Sequence, residues 1–266
     1  MSPPEMKNGE FPVVLFNLGG AIFNVIFSSL FLVVYFLFSG YEFLSTALLA
    51  FAFIGFAVAI LNGVPLRMGE VDNDGYNALS LSKNEKALEV FWVQMKMVEL
   101  QSVGIRIKDM PAEWFIVPSD EDMKNSVIAA RGVFACNRLM DEERFEDADA
   151  LMAHLLEIDS GIMGVHRNLL LCDRIFVELI SQNRREVIEQ MLSKELTKFM
   201  KAMKNFPSVL RTEYSLALLC EKDPQKADKI KAQFDKTAKK YPYPQDIASE
   251  RDLMQLAQDK YQAIIY

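Results

Sequence analysis

Residues 11–65 read FPVVLFNLGGAIFNVIFSSLFLVVYFLFSGYEFLSTALLAFAFIGFAVAILNGVP, with one charged side chain, Glu42, in the whole run. A segment that apolar offers nothing to water and predicts structure inside a bilayer. The run divides at Ser39-Gly40-Tyr41-Glu42 into residues 13–38 and 43–61. Each piece is near or above the roughly 20 residues a helix needs to cross hydrocarbon, so the expectation is a two-helix hairpin with a very short turn. Residues 1–12 carry one Lys and two Glu, and the first span is too long for the apolar region of a signal peptide. Lys7 precedes the first span, Arg67, Lys83 and Lys86 follow the second, and the turn has no Lys or Arg. The positive-inside rule then predicts a multi-pass protein of the cell membrane with both ends of this chain in the cytoplasm.

Outward from this run the chain changes character. Its 51% hydrophobic residues and mean hydropathy of +0.08 average a membrane segment with a charged, water-soluble remainder. The net charge of -7 argues against a nucleic-acid partner. Cys136, Cys172 and Cys220 are odd in number and lack C-x-x-C spacing, which suits reduced thiols on the cytosolic side or simply small buried hydrophobes. The sequence divides into 1–82 (membrane domain), 83–118 (amphipathic helix and connector) and 119–266 (cytosolic helical array), giving an all-α fold class.

Asn17, Gly20, Asn24 and Ser28 recur at helical spacing in the first span, and Gly55, Ala59 and Gly63 in the second. Small residues let backbones approach, and an amide in lipid needs a partner, so both faces are expected to pack against helices. Plain packing without chemistry accounts for these residues taken alone. The second span ends in Asn62-Gly63-Val64-Pro65, and nine residues after Pro65 comes Asp74-Gly75. Pro65 disfavours helical geometry at Val64 and cannot donate a backbone hydrogen bond, so the helix should open into a loop at the membrane edge.

The order Gly20-Ala21-Ile22-Phe23-Asn24, then Asn62-x-x-Pro65, then Asp74-Gly75 resembles the site-2 protease family of intramembrane zinc metallopeptidases, over roughly residues 13–80. The resemblance implies that Asp74 is a zinc ligand, with Gly20, Asn24, Asn62, Pro65 and Gly75 as substrate or helix-packing positions near the site. The chain departs from the family pattern with Ala21 where Pro is usual and with a longer gap before Asp74. The family also requires H-E-x-x-H on an earlier span, where two His bind zinc and Glu acts as general base. That motif is absent; His154 and His166 are the only histidines, and neither is followed by Glu. One carboxylate is not a zinc site, so zinc is expected only if an H-E-x-x-H half is supplied. Because the motif order places that half before Gly20, the chain is expected to be the C-terminal portion of such a protein, or a degenerate relative, with no catalytic residue of its own. Glu70, Asp72, Asp74 and Gly75 mimic half an EF-hand loop, but Leu81 stands where the bidentate Glu belongs, which rejects calcium. A simple D-G turn is the other account of Asp74.

Downstream, residues 85–104 read as an amphipathic helix with Leu88, Phe91, Trp92, Met95 and Val98 on one face. A connector without periodicity follows at 106–118. Helices are expected near 121–140, 144–158, 164–181, 184–203, 208–221, 224–240 and 246–264. The stretch Arg144-Phe145-Glu146-Asp147-Ala148, continuing through Met152 and Leu155, resembles the second helix of a tetratricopeptide repeat. Lys194, Lys198, Lys201 and Lys204 lie at helical spacing, on a solvated face or one that leans on anionic lipid.

Two functions are expected from this pattern. The first is a part of a metallopeptidase that acts by proteolysis, with a transmembrane protein as substrate. The second is a non-enzymatic adaptor anchored in the lipid bilayer, whose array binds a protein partner.

Overall fold

The computed structural model describes residues 5–6, 11–38, 40–68 and 71–265. Lys7, Ser39 and Glu70, which bear on the orientation, the turn and the calcium comparison, lie outside the described residues. Among the described residues the chain is all-α, with twelve α-helices and one two-residue antiparallel ladder, β1 (Arg67–Met68) against β2 (Val71–Asp72). The chain divides between Trp92 and Val93 into two compact units, so the boundary falls inside a helix and within the segment 83–118.

The first unit holds α1 (Val13–Leu37), α2 (Glu42–Gly63), α3 (Asp74–Leu81) and the opening turns of α4 (Glu85–Ser102). At 1.5 Å rise per residue α1 and α2 are about 37 and 33 Å long, against about 30 Å of hydrocarbon in a bilayer. Both are long and apolar enough to cross a membrane. Their outer faces are apolar too, with Leu37 74% and Phe53 75% exposed, a periphery suited to hydrocarbon.

The hairpin closes through small residues. Ala21 and Ser28 of α1 and Ala52 and Ala59 of α2 are buried. A Cβ on Gly55 would overlap Ser28 Oγ, and one on Gly63 would stand 3.2 Å from Ala21 Cβ. The α2 face therefore runs through Gly55, Ala59 and Gly63 as the spacing predicts. On α1 Ser28 lies in the contact as the spacing predicts, while Gly20 gives way to its neighbour Ala21, which is seven residues before Ser28 and so two turns along one line. Gly20 is exposed with nothing near it, Asn24 is half-buried, and Asn17 donates to Val13 O in its own helix at 2.9 Å.

The stripe predicted on α4 is also rotated. Ala87, Leu88, Val90, Val93 and Met97 are buried, whereas Val98 is exposed. Phe91 instead stacks on Phe11 with centroids 6.3 Å apart and meets Phe16 edge-on, so an aromatic contact at the start of α1 sets the register there.

The second unit contains α5 (Ser126–Asp141), α6 (Phe145–Glu157), α7 (Gly164–Ile180), α8 (Arg185–Met191), α9 (Lys194–Ala202), α10 (Pro207–Ser215), α11 (Pro224–Ala238) and α12 (Pro244–Ile265). A π-helical turn, Leu216–Cys220, continues α10. Local capping explains where the expected boundaries moved. Asn125 Oδ1 accepts from Val127 N and Ile128 N, so α5 starts at Ser126. Ser193 Oγ accepts from Leu196 N at 3.0 Å, which divides the single helix expected over 184–203 into α8 and α9. The connector is fixed rather than loose. Met110 and Phe115 are buried, Arg138 donates to Met110 O at 2.9 Å and Arg131 to Trp114 O at 3.0 Å. Ala148, Met152 and Leu155 of α6 lie fully inside the core, at the positions expected of a close helix pair.

Candidate functional site

The helix-breaking residue at the end of α2 dictates what surrounds Asp74. In a continuing helix Leu61 O would accept from the amide of residue 65, but Pro65 has no N–H. Val64 turns extended, at φ -78 and ψ 126, as a residue before Pro should. The carbonyls of Leu61 and Val64 are thus left needing donors. Asn73 supplies both, its Nδ2 reaching Leu61 O at 2.7 Å and Val64 O at 2.6 Å. Its Oδ1 accepts from Leu66 N at 3.0 Å and from Tyr76 N at 2.9 Å, the second bond capping α3. Every hydrogen-bonding position of this amide is in use, and Asn73 is only 8% exposed.

Gly75 completes the junction. A Cβ there would overlap Gly63 O, lie 2.7 Å from Gly63 C and 2.9 Å from Pro65 N. The glycine of the D-G pair lets the first turn of α3 rest directly on the backbone that ends α2. Asp74 lies between these two anchors as the first residue of α3, half-buried, at the end of the helix dipole that favours an anion. The segment read as an open loop is therefore a helix start held by a clasp.

Of the residues singled out from the sequence, Pro65, Asp74 and Gly75 are brought together here. Asn62 and Gly20 are exposed and Asn24 is half-buried. Asn73 was missed, and Gly63, expected only as a helix-packing residue, also receives Gly75 at this junction. The missing N–H of Pro65 was the signal for Asn73, because it creates an acceptor without a donor, and an Asn before the first helical residue is a common cap.

Among the described residues no three His, Cys, Asp or Glu side chains come together in a metal-binding group. Asp74 is a single carboxylate where a catalytic zinc needs three protein ligands, so these residues alone do not fit the metal. Both histidines belong to the other unit. His154 Nε2 sits 2.9 Å from Asp120 Oδ1 at the surface, and burial holds the His166 imidazole below its usual pKa.

His166 lines a cavity of about 280 Å³ inside the second unit, with Asp141, Asp173, Arg211, Asp246 and Glu250. Arg106 pairs with Asp141 at 2.5 Å and with Asp252 at 2.6 Å. Burial works against the Asp141 carboxylate, but Arg106, Ser249 and the Lys108 amide outweigh it and hold its pKa below the usual range. Asp246 fares differently. Burial pushes it up to about 6, aided by the Asp141 charge, and a hydrogen bond from Gln101 opposes this. A carboxyl raised above its unfolded value destabilises the fold once it is charged, so this penalty is absent in acid and grows as pH rises through about 6. Asp246→Asn keeps the Gln101 bond and removes the charge. It should stabilise the protein by about 1–2 kcal/mol at neutral pH and by no more than about 0.5 kcal/mol at about pH 4. Denaturant titrations of both proteins at the two pH values check this, and an equal difference at both contradicts it.

Compared with models of known families, with curated proteins and with solved structures, the chain gives no match.

Proposed function

We propose that this chain is the C-terminal, metal-ligand part of a site-2-protease-like intramembrane zinc metallopeptidase, with α1 and α2 crossing the bilayer, both ends cytoplasmic, and Asp74 the ligand it contributes. The supporting observation is the clasp: Asn73 and Gly75 hold one carboxylate at the end of an apolar span that Pro65 has opened. A simple D-G turn has no need of an amide with all its hydrogen bonds satisfied or of backbone packed on backbone. This reading requires two further ligands and a general base from a segment carrying the H-E-x-x-H motif, which these 266 residues do not contain. Gly20, Asn24 and Asn62, which the hairpin leaves exposed or half-buried, are the positions available to that segment and to a transmembrane substrate. The task of this chain on this reading is to fix one ligand in place.

The test is the metal content of the full gene product. Wild type should carry about one zinc per chain and Asp74→Ala at least tenfold less. Equal zinc in the two proteins removes Asp74 from the site.

The second reading is a membrane-anchored adaptor, favoured by the separate core and cavity of the second unit, which need nothing from Asp74. It predicts that the second unit, residues 93–266, folds alone and retains a protein partner.

A further inference from the structure

The cations of the second unit fall into two populations. Its arginines each meet a carboxylate or a backbone carbonyl. The side-chain ammonium groups of the lysines from Lys194 to Lys240, Lys226 apart, enter no ion pair or hydrogen bond among the described residues. In a chain with net charge -7 carboxylates are plentiful, yet these lysines recruit none.

Three of them converge. Lys204, after α9, and Lys236 and Lys240, at the end of α11, line one open groove with Asn205, Gln233 and Tyr241 and no carboxylate. The groove is held in shape, because Gln233 Nε2 donates to Lys204 O at 2.7 Å and to Asn205 Oδ1 at 3.0 Å, tying the two segments together. A helix C-terminus favours a nearby cation, which accounts for a lysine at each end. It does not account for two such ends sharing a groove from which acids are absent.

We infer that this groove is an electrostatic contact for an anionic bilayer surface. The inference rests on the reading that α1 and α2 lie in the membrane. Their tether keeps the second unit near lipid headgroups at high effective concentration, so three unpaired lysines meet phosphates without a separate binding event. A lipid surface also suits an open groove of long, mobile ammonium groups, which act as point charges and demand no fixed geometry.

The experiment uses the full chain in nanodiscs of phosphatidylcholine alone or with phosphatidylglycerol added, followed by amide hydrogen exchange. Residues 203–206 and 239–243 should exchange about tenfold more slowly in the anionic discs. The protection should vanish in high salt and in the K204E/K236E/K240E variant. Equal exchange in both discs, or protection that survives charge reversal, overturns the inference while leaving the membrane reading intact. Failure of the chain to enter either disc overturns both. Protection by soluble polyglutamate but not by phosphatidylglycerol also overturns it and assigns the groove to an acidic protein.

Discussion

Arg211→Met should cost the second unit about 3–5 kcal/mol at neutral pH. Arg211 is 1% exposed, and its guanidinium joins Asp173 and Glu250, the latter at 2.9 Å. The same group lies 4.4 Å above the Phe176 ring and donates to Thr212 Oγ1 at 3.1 Å. Methionine fills the volume but leaves two carboxylates facing each other without a counter-ion. Burial pushes both carboxyl groups up while the Arg211 charge pulls them down. Without the cation their folded pKa values rise further above the unfolded ones, so the variant's deficit is smallest in acid and grows toward neutral pH. Denaturant titrations at about pH 5 and pH 7.5 read both the size and the sign. A loss under about 1 kcal/mol at neutral pH would mean that the three groups contribute little as a unit.

The second large effect belongs to the clasp. Asn73→Ala removes four hydrogen bonds at once, from two carbonyls and two amides at the junction of α2 and α3. Some of those groups recover water, so a loss of about 2–4 kcal/mol is expected rather than the full sum. Asn73→Asp is the sharper variant. It keeps the acceptor for Leu66 N and Tyr76 N but turns a carboxylate toward the Leu61 and Val64 carbonyls, and it should be at least as damaging as alanine. Unfolding in detergent, with hydrogen exchange of residues 66–81, checks both. Unchanged exchange in Asn73→Ala contradicts the clasp.

The hairpin was legible because one charged residue in 55, with a break at Ser39-Gly40-Tyr41-Glu42, marks residues 11–65 as two long apolar helices joined by a short turn. The helices of the second unit were legible from periodicity and from the breakers Pro207, Pro224 and Pro244. Faces were harder. Gly20 and Ala21 are adjacent small residues, and only the partner helix decides which of them meets Gly63. The burial stripe of α4 was rotated for a related reason, since Phe91 stacks on an aromatic that lies 80 residues earlier in sequence. At the candidate site, Pro65, Asp74 and Gly75 could be named from spacing. The helix α3 could not, because eight residues are too few for periodicity to speak, and its cap depends on carbonyls twelve and nine residues upstream.

The most direct test replaces the proposed ligand with one that reports its own coordination. The full gene product carrying Asp74→Cys, loaded with cobalt(II) in place of zinc, should show a thiolate-to-cobalt charge-transfer band that wild type and a neighbouring Asp72→Cys control lack. A spectrum for Asp74→Cys identical to that of wild type, in protein that still binds the metal, would contradict the assignment of this side chain to the metal.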